Sequence, residues 1–362
     1  MKILLLTKYS RLGASSRLRA LQYIPYLEDK GYNITVEPLF DDVYLEILYS
    51  SKTRTFNRIA FLYLKRILSL RNAKNYDVLW IEKELLPYMP PILERLLNIF
   101  NIPYIVDYDD AIFHNYDLSD NIVIRHFLSK KIDIVMKNAK CVTAGSSYLI
   151  ERAKIAHAKK TKWIPTVIDL ERYKIIAPTP NKNYNKTIGW IGSPYTQKYL
   201  LQIKEALNAL NKKHSINLLL VGATDSIVQE FPDIAVTVVP WSENTETDYI
   251  RKMDIGIMPL SNTPWELGKC GYKLIQYMAC GIPVVASPVG VNSIIVNNSK
   301  SGYLAENNEQ WYICLDKLLR SSIRCETFGV SGRAAIDSIY SLQVQAPVLA
   351  RIFNSIVKKG AF

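Results

Sequence analysis

No Cys-x-x-Cys pair occurs in the 362 residues, and the five cysteines (Cys141, Cys270, Cys280, Cys314, Cys325) are odd in number and irregular in spacing. This fits reduced thiols in a cytosolic protein better than a disulfide framework or a zinc site. His126, His157 and His214 show no metal-ligand spacing. No apolar run reaches the roughly eighteen residues of a membrane span. The opening Met1–Thr7 run is too short for a signal peptide, so a cytoplasmic protein is expected. Fifteen glycines and seventeen prolines are ordinary usage and exclude collagen-like chains. Neither an internal repeat nor a low-complexity tract is visible. No Gly-x-Gly-x-x-Gly follows the first apolar run, which argues against a Rossmann oxidoreductase. Acidic residues are fewer than basic ones, 33 against 45, for a formal charge of +12. An anionic partner is one reading of that excess and a generally basic proteome the other. No nucleic-acid recognition module is visible.

A chain this long, with 49% hydrophobic residues, can bury two cores. Met1–Thr7 reads as a buried strand, residues 8–16 as a polar loop containing Gly13, and residues 17–30 as a helix ended by Gly31. Ile34–Pro38 is the next strand, completing a βαβ unit. Strands then fall at 77–82, 103–107 and 141–144, and helices at 91–100, 122–138 and 147–157. The polar, proline-bearing stretch 177–185 reads as a linker, after which the pattern restarts. Strands fit 187–191, 217–221, 236–239, 254–258 and 283–286, and helices fit 197–212, 245–252, 272–279, 310–320 and much of the stretch from Gln343. The expectation is two doubly wound α/β domains, residues 1–172 and 173–342, with a C-terminal helix about 343–362 that packs back on the first. The natural ligand site is then the cleft between them.

The most informative stretch is Trp265–Ser287. A glycine-bearing loop (Gly268, Gly271) opens a helix, and Lys269 and Lys273 stand at its start. Unpaired N–H groups and the positive dipole end make a helix N-terminus attractive to anions, whereas lysines there are unfavourable unless an anion compensates. A solvated lysine pair is the alternative. The second candidate is Val106–His114, where Asp107, Asp109 and Asp110 crowd a strand end. Such carboxylates repel, raising at least one pKa unless cations or donors compensate. Helix caps and loop hydrogen bonds are the plainer explanation. Residues 54–74 form a basic helix rich in Phe, Leu, Ile and Tyr. It suits either an anionic membrane surface or a core with a basic outer face.

The segment Met278-Ala279-Cys280-Gly281-Ile282-Pro283-Val284-Val285-Ala286 resembles the second half of the signature of family-4 retaining glycosyltransferases. Trp163–Asp169 resembles that family's segment before the interdomain linker. Ile188–Ser193 resembles the first strand of its nucleotide domain, and Met253–Leu260 the strand before the signature. The pieces follow in the family's order across most of the chain. The resemblance implies a GT-B fold and transfer of a sugar from a nucleoside-diphosphate sugar to a glycan or lipid-linked acceptor. It further implies retention of configuration, no metal, and a setting in surface-polysaccharide or glycolipid assembly, with the protein cytoplasmic or peripheral on the inner membrane face.

The family's two signature glutamates fall on Gly268 and Gln276, so the usual carboxylates are missing. Gln276 can still hydrogen-bond ribose hydroxyls, and Glu266 stands two residues from Gly268 as a substitute at the donor sugar. Cys270 and Gly271 complete the donor-side loop. The usual Arg and Lys after the first strand of this domain are also missing. That leaves Ser193, Thr196, backbone N–H groups, Lys269 and Lys273 for the phosphates, the two lysines stabilising the leaving group. Val239-Pro240-Trp241 stands where the family reads the base, with Trp241 either stacking on it or packed in the core. Gly13, with Arg17 and Arg19, occupies the place of the family's glycine-rich loop and would meet donor phosphate or acceptor. Where the family places a histidine on the donor sugar, acids precede His114 here. Asp109 would orient the acceptor hydroxyl or act as base, with Asp107, Asp110 and His114 as acceptor or anion contacts. Asp107-x-Asp109 also matches the Asp-x-Asp of metal-dependent GT-A enzymes, but the two-domain restart argues against that fold. The missing glutamates keep a non-catalytic sugar-nucleotide-binding partner subunit open as a rival. A second rival is a nucleotide-dependent enzyme of another class, such as a sugar-nucleotide epimerase.

Overall fold

The computed structural model describes residues 1–49, 56–175 and 185–357. Most of the expected linker at 177–185, the start of the basic helix at 54–55 and the chain beyond 357 lie outside these. The chain divides into two compact units. The first holds residues 1–166, the short segment Gly268–Cys270 and the chain from Gln345 on. The second holds Val167–Leu267 and Gly271–Val344. Residues 167–172 therefore belong to the second unit.

The first unit contains β1 (Lys2–Tyr9), β2 (Asn33–Phe40), β3 (Val78–Glu82), β4 (Tyr104–Tyr108), β5 (Cys141–Ala144) and β6 (Thr161–Trp163). They form one parallel sheet in the order β2-β1-β3-β4-β5-β6. β3, β4 and β5 are buried along their whole length, as strands covered by helices on both faces must be. The C-terminal helix Leu342–Val357 completes this unit: Phe353 meets Trp80 edge-on at 5.3 Å, and Tyr32 Oη donates to Asn354 Oδ1 at 3.0 Å.

The second unit contains β7 (Thr187–Ile191), β8 (Asn217–Val221), β9 (Ala235–Val239), β10 (Ile255–Met258), β11 (Val284–Ala286) and β12 (Gly302–Leu304). Its sheet is also parallel, in the order β12-β11-β10-β7-β8-β9. In each sheet the strand order reverses beside the first strand, between β1 and β3 and between β7 and β10. Ligands of doubly wound sheets bind outside the carboxyl ends at such reversal points.

Three expected helices are broken, those over 17–30, 122–138 and 197–212. The helix expected over residues 17–30 is Ala14–Arg19, a 3₁₀ turn, then Ile24–Asp29. Pro25 explains the restart: it lacks an N–H and clashes with the preceding turn, so it fits only near a helix start. The helix expected over 122–138 is Ile122–Leu128 followed by Lys131–Asn138. Residues 194–203 form a 3₁₀ segment ahead of the helix Lys204–His214.

Candidate functional site

The carboxyl edge of the first sheet is a cluster of buried and half-buried charges. Asp107, near the end of β4, is bound in bidentate fashion by Arg19, Nε to Oδ2 and Nη2 to Oδ1, both at 2.8 Å. Thr143 Oγ1 donates to Oδ1 of the same carboxylate at 2.6 Å. Arg19 also donates to the Ile164 carbonyl oxygen at 2.8 Å, so this guanidinium is committed inside the unit rather than to an external anion. Burial disfavours its charge, but Asp107 outweighs burial and raises its pKa. Arg17 is buried as well, with Nη1 donating to the Arg11 carbonyl oxygen at 3.1 Å. Gly13 caps the helix Ala14–Arg19, and a Cβ there would lie 2.4 Å from Tyr9 Cβ.

Beyond β4 the chain carries Asp109 and Asp110. Lys83, the residue after β3, places Nζ 2.8 Å from Asp109 Oδ1, 3.5 Å from Asp110 Oδ2 and 3.1 Å from Ser15 Oγ. Lys269 Nζ lies 2.8 Å from Asp110 Oδ1. Burial alone would raise the Asp109 carboxyl, but Lys83 outweighs it, with help from Ser15, and holds its pKa at about 2. A carboxylate held so low is a weak base at neutral pH and a good acceptor of hydrogen bonds. Lys269 is likewise raised, Asp110 outweighing burial. Cys270 is buried, its Sγ 3.1 Å from the Asp109 carbonyl oxygen, and Gly268 sits against Ala111, where a Cβ would come within 2.5 Å. A glutamate at 268 would not fit this backbone. His114 has both ring nitrogens engaged, Nδ1 with Asp117 and Nε2 with Tyr148 Oη, each at 2.8 Å.

The carboxyl edge of the second sheet is built differently. Lys273 stands in the first turn of the helix Tyr272–Ala279, with Nζ 4.4 Å from the centre of the buried Trp190 ring on β7. A Cβ on Gly192 would come within 2.4 Å of Trp190 and 2.9 Å of Lys273 Nζ, so glycine makes room for both. Gly222, after β8, has φ +80°, and a Cβ there would meet the Gly192 carbonyl oxygen at 2.2 Å and Trp241 Cβ at 3.1 Å. Its N–H donates to the Val239 carbonyl oxygen at 2.8 Å. The ends of β7, β8 and β9 thus bring Gly192, Gly222, Val239 and Trp241 to one edge, where Lys273 joins them from the helix Tyr272–Ala279. Ser193 and Thr196 form a reciprocal cap of the 3₁₀ segment, Ser193 exposed and Thr196 half-buried.

Trp241 is fixed by its indole N–H, which donates to Glu246 Oε2 at 2.8 Å. The buried Glu246 also accepts from Tyr173 Oη at 2.9 Å, Arg172 Nη2 at 3.1 Å and Gln276 Nε2 at 3.1 Å. Gln276 is itself buried, and its amide also donates to Tyr173 Oη at 2.9 Å. Glu266 is buried too, one oxygen accepting from Tyr199 Oη and the other from Thr263 Oγ1. Gly271, at φ +68°, is the residue before the Lys273 helix.

The sequence puts Lys269 and Lys273 at one helix start. In the structure Lys269 pairs with the first unit's Asp110, and Lys273 lies on the second unit's Trp190. Sequence reasoning missed Lys83, Glu82, Trp190, Tyr173, Gly222 and Glu246. The Glu82-Lys83-Glu84 triplet directly after an apolar strand was the one available signal. No group of three or more His, Cys, Asp or Glu residues able to hold a metal ion occurs among the described residues.

Residues 185–321 match the family model described as glycosyl transferases group 1. The whole chain resembles solved structures: sucrose-phosphate synthase from Thermosynechococcus elongatus is 16% identical with a TM-score of 0.77, covering 99% of this chain and 100% of that one. Anabaena HepE in complex with UDP is 16% identical with a TM-score of 0.73, over 98% and 100% of the two chains. The chain has a GT-B-type fold, and its residues 185–321 are similar to the group 1 glycosyltransferases. Among curated proteins, the capsular polysaccharide biosynthesis glycosyltransferase CapM of Staphylococcus aureus is 21% identical over 188 residues, 49% of this chain and 48% of that protein. The match thus spans about half the length of CapM. The group 1 match contains the second-unit residues from Trp190 to Gln276, while Arg172 and Tyr173 lie before it.

Proposed function

We propose that the chain transfers a sugar from a nucleoside-diphosphate sugar to a hydroxyl of a glycan or lipid-linked acceptor, with retention and without a metal ion. The observation that carries this reading is the Lys273 ammonium over Trp190, beside the side-chain-free backbone of Gly192 and Gly222 and the tethered Trp241. It supplies a cation for a diphosphate, close backbone approach for phosphate oxygens, and an aromatic face for a base. Anabaena HepE, whose structures hold UDP and UDP-glucose, supports a uridine nucleotide as the first donor to try.

In the transfer, the bond from the anomeric carbon to the diphosphate oxygen breaks and a bond to the acceptor oxygen forms. The proton of the acceptor hydroxyl passes to the leaving diphosphate, and Lys273 stabilises the charge growing there. Asp109, with its depressed pKa, orients the acceptor hydroxyl as a hydrogen-bond acceptor rather than serving as the base. Lys269, paired with Asp110, belongs to the same acceptor-side cluster and is a weaker candidate for the leaving group than Lys273.

The acceptor's setting is proposed from the helix Phe56–Ser69. It turns Phe61, Leu64, Lys65 and Leu68 outward at helical spacing, while Arg66 is buried with Nη2 donating to the Thr7 carbonyl oxygen at 2.7 Å. An outward apolar face in a chain of +12 charge suits an anionic membrane surface. Among the described residues no helix is long and apolar enough to cross a membrane.

Incubation with UDP-glucose, UDP-N-acetylglucosamine and GDP-mannose in chelator, with bacterial membrane extract as acceptor source, tests the function. Glycosylated product is expected, and Lys273→Ala should lower its rate about 100-fold or more. Nucleotide binding without turnover would favour the non-catalytic subunit, for which the missing signature glutamates speak. Sugar isomerisation without an acceptor would favour the epimerase.

A further inference from the structure

Lys83 is the first residue after β3, at the strand-order reversal of the first sheet. Its backbone has φ +66°, a left-handed conformation that is unfavourable for a non-glycine residue and is retained where the surroundings demand it. The surroundings here are specific. Its N–H donates to the Asp107 carbonyl oxygen at 2.9 Å, which turns the side chain back along the sheet edge. Its ammonium, in a residue only 4% exposed, bridges Ser15 after β1 to Asp109 and Asp110 after β4. An isolated ammonium buried this deeply would be costly, and removing one partner of such a pair leaves the other uncompensated.

We propose that Lys83 is the positioning residue of the acceptor side: it fixes the Asp109 carboxylate in the orientation that receives the acceptor hydroxyl. This rests on the transferase reading above and assigns a role to a residue that does not itself meet substrate. The charged groups around the pair are Lys8 on β1, Glu82 and Glu84 flanking Lys83, Arg19 from the first helix, Asp107 and Asp110 around β4, and Lys269 with the Cys270 thiol from the segment 268–270. Lys8 is lowered by burial and by Lys83, and Glu82 is raised by burial against the pull of Lys83, so the neighbours on β1 and β3 titrate differently from Asp109. Glu82 Oε2 accepts from the Lys8 N–H at 2.8 Å and Ser16 Oγ at 2.6 Å, anchoring the first turn of the helix that carries Ser15. With Lys83 present, Asp109 is ionised throughout the working range. With its charge removed, burial dominates and the carboxyl shifts upward, so an acid limb should enter the rate profile.

The test compares wild type with Lys83→Met, Lys83→Arg and Asp109→Asn, using UDP-glucose hydrolysis, in which water replaces the acceptor, and UDP binding by calorimetry. The expected result for Lys83→Met is UDP affinity within about twofold of wild type, kcat lowered at least 10-fold, and an acid limb moved up by at least one pH unit. Lys83→Arg should restore most of kcat and the wild-type profile. Asp109→Asn should lose activity without the new limb, and adding Lys83→Met to it should cost little more. A Lys83→Met enzyme that keeps the wild-type pH profile, or loses activity additively with Asp109→Asn, overturns the proposal while leaving the transferase reading intact. A wild type that binds UDP yet turns over no nucleoside-diphosphate sugar, with water or with the membrane-extract acceptor, overturns both.

Discussion

The two units share one topology and differ at the same place in it. At the carboxyl edge of the first sheet, charges sit in pairs: Arg19 with Asp107, Lys83 with Asp109, Lys269 with Asp110. At the carboxyl edge of the second, glycines and tryptophans line the strand ends, and Lys273 lies on an aromatic face. Under the proposed function, the edge of compensated charges orients the acceptor hydroxyl through fixed acceptors. An edge of bare backbone, aromatic faces and a cation suits the flat base and the diphosphate of a nucleotide. The fold supplies two equivalent places, and the side chains at each decide its chemistry.

The comparison breaks most visibly at Arg19. Arg19→Met leaves Asp107 buried and uncompensated, and the expected loss is about 3–5 kcal/mol, read as a shifted urea midpoint. Asp107→Asn added to it should recover part of that loss. A single mutant as stable as wild type would show that the first edge does not depend on its pairs. On the second edge the sensitive observable is affinity. Trp241→Ala should weaken UDP binding by about 1–3 kcal/mol, roughly 5- to 150-fold, as loss of an aromatic face under a base does. Trp241→Phe should retain most of it. Equal affinity in all three would make Trp241 a core residue. The smallest effect is expected on the outer face of the first unit: Phe61→Ser, Leu64→Ser and Leu68→Ser together should reduce co-sedimentation with phosphatidylglycerol vesicles several-fold while leaving UDP affinity unchanged. Co-sedimentation equal to wild type would remove that face from the membrane reading.

Legibility followed buried periodicity. Long apolar runs such as Ile3–Leu6 and Asn217–Val221 announced their strands, and the repeated strand-loop-helix order announced two doubly wound sheets. β6 and β12, each three residues long, carry too little pattern to be recognised. Pro25 was visible but its helix-restarting effect was outweighed by the continuous Leu18-Leu21-Ile24-Leu27 spacing. Among site residues, Asp107, Asp109 and Asp110 could be picked out because carboxylates at a strand end are conspicuous. Their partners Arg19 and Lys83 could not be matched to them, since pairing is set by strand order: β1 and β4 flank β3, so residues 88 apart in sequence meet. Glu246 escaped for the same reason, lying in an ordinary polar stretch that the fold turns under Trp241. Gln276 looked like a hydroxyl-binding residue from its motif position, whereas the structure ties its amide to Tyr173 and Glu246.

The most direct test of the central claim, that the second unit's edge receives a nucleoside diphosphate, is calorimetric titration of UDP in chelator into wild type, Lys273→Ala and Asp109→Asn. The account predicts metal-independent binding to wild type, at least 10-fold weaker binding to Lys273→Ala and unchanged binding to Asp109→Asn. Failure of UDP, GDP and ADP to bind wild type, or binding that Lys273→Ala leaves unaltered, would contradict it.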